Sequence, residues 1–254
     1  MVARALPAAT PGPQPPQEAD FPPGCAVVFG GSGGIGAAIC EELARRGVPL
    51  LLTYRARRDR AQALADSLRT ASVAVDIHPV EMTERASVTA VLQAARQAHG
   101  RVHTVVLATG SDISMTYVAA IDPDEWLRTV HADLTGALHA IAATLLRGVA
   151  REEGRFGIRA NTVAPGVLDG GLFDRLAQQL DTDYLAAIRH NTALRRFGTL
   201  QEVARAVAFL ASRDASYITG QRLVVDGGVF GLRVPAAGGT ALVVRSSAPI
   251  DMGT

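Results

Sequence analysis

The alternation of apolar and amphipathic stretches in the first half of the chain predicts strands that alternate with helices. A short apolar run over Cys25–Phe29 leads into a glycine-rich turn and a helical repeat that closes at Gly47. Further apolar runs at 49–53, 73–78 and 104–107 are separated by helical patterns at 60–70 and 84–99. Strands joined by helices of this length form parallel sheets. We therefore expect an α/β fold, a Rossmann-like, doubly wound parallel sheet in a single domain.

The composition changes at both ends of the chain. Residues 1–23 hold seven of the 13 prolines and lack the apolar stretch of a secretory signal, so a disordered arm is expected there. Residues 232–254 contain only one short β-like stretch, ALVV, which predicts a loose tail with at most one edge strand. The folded body is expected over 24–231.

Charge and cysteine content exclude several classes of function. The 25 basic and 24 acidic residues nearly cancel, so no overall field attracts nucleic acid or an anionic membrane. Cys25 and Cys40 have no metal-ligand spacing and are expected to be buried thiols of a cytoplasmic protein without a metal site. Every basic residue is an arginine. A mechanism that depends on a lysine ammonium is thereby excluded.

The turn after the first strand has the pattern of a phosphate-binding loop. Gly30 permits a sharp turn, Gly34 permits close approach of a pyrophosphate, and Gly36 permits close packing of the helix on the strand. Free N–H groups and the helix dipole at the same point favour an anion. The alternative is a glycine turn with no ligand, but the flanking strand and helix favour a dinucleotide site.

The second strand ends without the carboxylate that would bind a free ribose 2′-hydroxyl. Arg55 stands at that end, followed by Arg57 and Arg58. A guanidinium matches a phosphate in bidentate geometry, so a 2′-phosphate is the better ligand. This favours NADP(H) over NAD(H); the alternative is a solvated, positively charged helix start.

Several motifs together resemble one enzyme family. The loop FGGSGGIG at 29–36 resembles TGxxxGIG, LATG at 107–110 stands where that family has NNAG, and GIRANTVAPG at 157–166 is similar to GIRVNxVAPG. Residues 195–228 are very close to its C-terminal helix and last strand. The sequence is thus identified as a member of the classical short-chain dehydrogenase/reductase family, 3-oxoacyl-carrier-protein-reductase-like, over 24–230. Together with the glycine loop and the arginine, the resemblance implies a cofactor site formed by Gly30, Ser32, Gly34, Ile35, Gly36, Arg55, Glu81, Met82, Ala108, Gly110, Pro165, Gly166 and Leu168.

The family's catalytic segment has no counterpart in the sequence. The resemblance places a Ser, a Tyr and a Lys between the family's NLTG helix and its VAPG strand. Here Asp133 replaces the Asn of NLTG and is the one weak catalytic candidate. Asn161 follows Asp133 by only 28 positions, where the family fits on the order of 40 more residues. The junction falls near 145/146.

Two structural expectations follow from the missing segment. An apolar stripe from Leu127 to Val149 stays in phase across the junction, so one helix is predicted from Asp122 to Gly154. The family's strand order, 3-2-1-4-5-6-7, loses strand 5. The strand at 158–163 is then expected to move beside the strand at 104–107, giving the order 3-2-1-4-6-7.

Three functions remain open on the sequence alone. The first is NADP(H)-dependent reduction of a ketone or 3-oxoacyl thioester, or the reverse oxidation of an alcohol, as an activity by descent that the missing Ser, Tyr and Lys impair. The second is a non-catalytic nucleotide-binding subunit, because residues 122–154 and 201–230 resemble elements through which the family assembles as dimers or tetramers. The third is an internally deleted product without function. No nucleic-acid or membrane partner is expected.

Overall fold

The computed structural model describes residues 19–69, 72–109, 147–170, 180, 182–229 and 241–246. The described residues between 19 and 109 form four strands that alternate with three helices: β1 (Cys25–Phe29), α1 (Gly34–Arg45), β2 (Leu50–Tyr54), α2 (Arg58–Leu68), β3 (Val75–Pro79), α3 (Arg85–His99) and β4 (Val102–Leu107). The second half contains β5 (Ile158–Pro165), β6 (Leu168–Asp169), α4 (Thr182–His190), β7 (Gly198–Thr199), α5 (Leu200–Ala211), β8 (Arg222–Val225) and β9 (Ala241–Ser246). The predicted α/β architecture is confirmed, with boundaries that differ by about two residues.

In the described part of the chain, seven strands form the central sheet in the order β3-β2-β1-β4-β9-β5-β8. The four strands of the first half pair in parallel, and β5 pairs in parallel with β8. Buried strands of this kind are covered on both faces, which is why β1 is apolar throughout rather than alternating. The short strands β6 and β7 form a separate parallel pair.

The expected strand order 3-2-1-4-6-7 is wrong. The strand after the junction, β5, does not pair with β4; β9 lies between them and is antiparallel to both. The reason for that expectation still applies: β4 needs a partner on that edge, because its backbone N–H and C=O groups would otherwise be unpaired. The C-terminal segment supplies that partner, so the expectation of at most an edge strand there is also wrong for residues 241–246.

The core is divided between the two faces of the sheet. On one face α1, α2 and α5 pack a large apolar cluster that includes Ile39, Leu43 and Val207. On the other face α3 contributes Val91 and Ala95 to a smaller cluster around β1. The amphipathic pattern predicted for the helices is thus satisfied by burial against the sheet.

Buried polar groups fix β5 to the chain that follows α5. The Arg159 guanidinium, 9% exposed, donates to the carbonyls of Ser212 and Ile218, each at 3.1 Å. The Asn161 side chain donates to Ile218 O at 2.9 Å and accepts from Gln221 N at 3.0 Å. The position of β5 is therefore set by hydrogen bonds as well as by apolar packing.

The predicted helix across the junction lies mostly outside the described residues. Residues 147–153 are helical, and a 3-10 turn over Gly154–Phe156 follows. Gly157 then closes the turn with a left-handed conformation, φ 74°. The predicted stop at Gly154 therefore falls where the α-helix gives way to this turn.

Candidate functional site

The glycine turn after β1 is a tight crossing of backbone against backbone. Gly30 has φ +76°, and a Cβ there would lie 2.7 Å from Ala108 O. A Cβ on Gly36 would lie 2.1 Å from Gly30 O. The strand, the turn and the first helical turn thus approach more closely than any side chain permits, as the sequence predicted for Gly30 and Gly36.

The start of α1 presents N–H groups at this turn. The N-cap residue Gly33 makes no side-chain capping bond, and the first bond of the helical ladder is Ala37 N to Gly33 O at 2.8 Å. The N–H groups of Gly34, Ile35 and Gly36 come before that first bond, so they have no hydrogen-bond partner within the helix. Ser32 is partly buried and its N–H is 3.4 Å from Thr53 O, which ties the turn to β2.

The neighbouring strands place two charged residues near each other. Arg55 follows β2 and is exposed; Glu81 follows β3 and is partly buried. Hydrogen bonds from Thr83 lower the pKa of the Glu81 carboxyl, and the positive charge of Arg55 lowers it further. Arg55 therefore lies close enough to Glu81 for their charges to interact. It stands at the same carboxyl end of the sheet as the glycine turn.

The remaining predicted site residues fall in two groups. Ala108 donates from its N–H to Phe29 O at 2.9 Å, which holds the end of β4 beside the turn, and Met82 packs against the cluster beside α3. Pro165 is buried at the end of β5, and a Cβ on Gly166 would lie 2.7 Å from Asp226 Cβ. Leu168 is 6% exposed, so its side chain belongs to the core and only its backbone is available to a ligand.

Two predicted site residues, Gly110 and Asp133, lie outside the described residues. Both cysteines are buried, and burial raises the pKa of the Cys25 thiol to about 12. Within the described ranges no group of three or more potential ligands could hold a metal ion. In the same part of the chain, no helix has the length and apolar character to cross a membrane.

The sequence comparisons agree with this fold and turn. The profile of short chain dehydrogenases matches residues 24–146, and the profile described as enoyl-(acyl carrier protein) reductase matches residues 139–230. The chain belongs to the short-chain dehydrogenase/reductase family. Similar proteins include the 3-oxoacyl-[acyl-carrier-protein] reductase FabG of Escherichia coli (strain K12), 29% identical over 244 residues, which cover 81% of this chain and 96% of that protein. The cis-4-hydroxycyclohexanecarboxylate dehydrogenase of Sinomonas cyclohexanicum is 29% identical over 242 residues, or 80% and 95% of the two chains.

Solved structures show the same fold. A short-chain type dehydrogenase/reductase from Mycobacterium ulcerans superposes with a TM-score of 0.72 at 22% identity, covering 82% of this chain and 90% of that one. A short chain dehydrogenase from Burkholderia cenocepacia J2315, solved in complex with NADP, superposes with a TM-score of 0.65 at 23% identity, covering 81% and 97%.

Sequence reasoning missed the strand beside the site. β9 begins at Ala241, opposite Val163 near the end of β5, and Leu242 lies opposite Leu107 at the end of β4. The start of β9 therefore lies at the same end of the sheet as the glycine turn. The available signal is the stretch ALVV, which by itself predicts no more than an edge strand in a loose tail.

Proposed function

We propose that the chain binds NADP(H) at the carboxyl ends of β1, β2 and β4. The observation that carries the proposal is the turn between β1 and α1. A Cβ on Gly36 would clash with the backbone of this turn, and the start of the helix presents N–H groups to an anion. This is the cradle that a pyrophosphate requires. The Burkholderia cenocepacia relative, solved with NADP, supports the same ligand class.

Arg55 is proposed to bind the 2′-phosphate. It is exposed at the end of β2, where a carboxylate would instead select NAD(H). Glu81 lies near it and lowers the net positive charge that the phosphate meets. Preference for NADP(H) therefore depends on a direct contact of the guanidinium with the phosphate rather than on a broad positive field.

We further propose that the chain does not carry out the family's carbonyl reduction. That chemistry uses a tyrosine whose pKa a nearby lysine lowers, and this sequence holds no lysine. The alignment to the Escherichia coli reductase supports a missing segment: it extends over 244 positions but takes up 81% of a 254-residue chain, so it crosses a gap in this chain. The proposed function is that of an NADP(H)-binding, non-catalytic family member.

The test is a comparison of dinucleotide affinities by NADPH and NADH fluorescence titration. Wild type is expected to bind NADPH at least tenfold more tightly than NADH. Arg55→Gln is expected to weaken NADPH by roughly tenfold to a hundredfold, because a charge-assisted phosphate contact contributes about 1.5–3 kcal/mol. NADH affinity is expected to stay within about twofold, since that ligand lacks the phosphate.

Arg205→Gln provides the matched control. Arg205 is an exposed arginine of α5 that faces the later turns of α1, near Glu41 and Arg45, rather than the glycine turn. The same loss of charge there is expected to leave both affinities unchanged. Equal affinity of wild type for the two dinucleotides contradicts the role of Arg55. NADPH oxidation with a 3-oxoacyl thioester that is lost in Gly36→Ala contradicts the non-catalytic assignment.

Self-association is a second proposal. Among the described residues β8 is the last strand of the sheet; it exposes Leu223 and Val224, at 36% and 52%, and α5 beside it exposes Phe209 at 39%. Apolar residues on an unpaired strand edge favour association with another chain. Light scattering is expected to show a dimer or tetramer that Val224→Asp dissociates.

A further inference from the structure

We propose that the slot between β4 and β5 is a binding site for an extended peptide, whose ligand is the chain's own C-terminal segment, residues 241–246. The proposal adds to the proposed function, on which one of its two readouts rests. It concerns a part of the sheet that the nucleotide site itself does not include. Its occupant is fixed by the observed pairing of β9.

The orientation of β9 identifies it as a segment added to an existing slot. The strands on both sides of it belong to the parallel set, whereas β9 is antiparallel to β4 and to β5. A strand connected by the usual crossover would be parallel. β9, residues 241–246, instead follows β8 in the chain and pairs with neither β8 nor β1. The slot therefore requires a strand whose backbone can pair with β4 and β5, and it does not require that strand to be connected by a crossover.

The pairing extends along the whole length of β9. Thr104 to Leu107 lie opposite Arg245 to Leu242 on one side, and Ile158 to Val163 lie opposite Ser246 to Ala241 on the other. The backbone groups of both neighbours face a sheet interior in which Val106, Ala160 and Val163 are fully buried. Unpaired N–H and C=O groups in such a place are costly, so an empty slot strongly favours an incoming strand.

Filling the slot also sets the geometry of the candidate nucleotide site. β4 ends beside Ala108, and β5 ends at Pro165 and Gly166. With β9 in place these two ends are two strand spacings apart, about 9.6 Å. With the slot empty, β4 and β5 would lose the strand that pairs with both of them and holds these two ends at that separation. Occupancy of the slot and binding of NADP(H) are therefore coupled.

The test weakens the pairing of β9 in the full-length protein and then offers the same segment as a free peptide. Because β9 has a neighbour on each side, each interior residue directs its N–H to one of them, and Val243→Pro removes one such donor. Ala248→Pro, beyond the end of β9, is the matched control. The ligand is a fluorescently labelled synthetic peptide of residues 239–248, titrated to low millimolar, since a tethered strand has an effective concentration on the order of millimolar.

The labelled peptide is expected to bind Val243→Pro at least tenfold more tightly than it binds wild type or Ala248→Pro, whose own strand fills the slot. NADPH affinity of Val243→Pro is expected to fall at least tenfold and to recover within about threefold of wild type when unlabelled peptide is added. A peptide that carries proline at position 243 is expected neither to bind Val243→Pro tightly nor to restore its NADPH affinity. The comparison is also made with peptide present throughout expression and purification, so that a variant that needs the peptide to fold is still scored.

Anisotropy and NADPH fluorescence distinguish the two proposals. Peptide binding with no NADPH binding by any variant, wild type included, supports the slot and contradicts the proposed function. Equal peptide binding by Val243→Pro and wild type overturns the slot. A Val243→Pro protein that stays insoluble with the peptide present overturns it as well, because the slot would then not accept a free strand.

Discussion

The strongest structural prediction concerns Gly36, where the start of α1 crosses the glycine turn. An ideal Cβ on Gly36 would lie 2.1 Å from Gly30 O, 2.8 Å from Gly30 C and 2.9 Å from Gly31 Cα. All three neighbours are backbone atoms, so relief requires the helix or the turn to move by about 1 Å. We expect Gly36→Ala to be destabilised by about 3 kcal/mol, the upper end of the range for overpacked sites.

The turn has little freedom to make room for the added methyl group. Gly30 donates to Thr53 Oγ1 at 3.1 Å and accepts from Gly33 N at 2.9 Å. On its other side, a Cβ on Gly30 itself would meet Ala108 O at 2.7 Å, so the turn already lies against the end of β4. Movement of Gly30 therefore breaks hydrogen bonds or pushes against a second strand. NADPH affinity is expected to fall at least tenfold with the loss of stability.

Urea denaturation followed by circular dichroism measures the effect. With an m-value of about 3 kcal/mol/M, the midpoint of Gly36→Ala is expected about 1 M below wild type. Gly148→Ala is the matched control: Gly148 is helical, and a Cβ there would meet no atom of the described residues within 4 Å. That variant is expected to gain about 0.5–1 kcal/mol, as alanine does over glycine in a helix. A Gly36→Ala midpoint equal to that of wild type would refute the packing argument.

Two further predictions follow from charged groups whose pKa is lowered in the fold. The Arg196 guanidinium and the Thr199 amide lower the pKa of Glu202 to about 2, because Glu202 completes a capping box at the start of α5. Glu202→Gln is expected to cost about 1 kcal/mol of unfolding free energy at pH 7. The carboxylate's contribution is present above pH 4.5 and is lost towards pH 2, so the two stability curves should converge over that range in acid; a constant difference would contradict it. Glu81→Gln removes the negative charge beside Arg55 and is expected to tighten NADPH binding roughly two- to fivefold at low salt but not NADH binding; equal effects on both ligands would contradict it.

The sequence was sufficient for the features that depend on local pattern. The apolar run of β1, the glycine turn and the amphipathic helix α1 each follow from residues adjacent in the chain. These elements are correct to within about two residues, because few alternative packings satisfy the same pattern.

The order of the strands in the sheet cannot be predicted from the local sequence pattern. Whether β5 or β9 lies beside β4 depends on a pairing between residues 104–107 and 242–245, which are more than 130 positions apart in the chain. Four apolar residues in ALVV fit an edge strand, an interior strand or a collapsed loop equally well. The sequence does predict the requirement itself, that β4 needs a partner on this edge, and the pairing with β9 meets it. The remaining choice is decided by which segment reaches β4 without displacing β5.

The position of β5 is what decides that choice. If β5 moved one strand spacing towards β4, about 4.8 Å, it would have to carry with it the bonds of Arg159 and Asn161 to the chain after α5. It would also have to take β8 along, or give up that pairing. Inserting β9 leaves all of these contacts in place and satisfies β4 at the cost of ordering one terminal segment. The end of β5 therefore keeps a two-strand separation from β4. The proposed loss of carbonyl reduction consequently rests on the missing tyrosine–lysine chemistry and not on a movement of β5 towards β4.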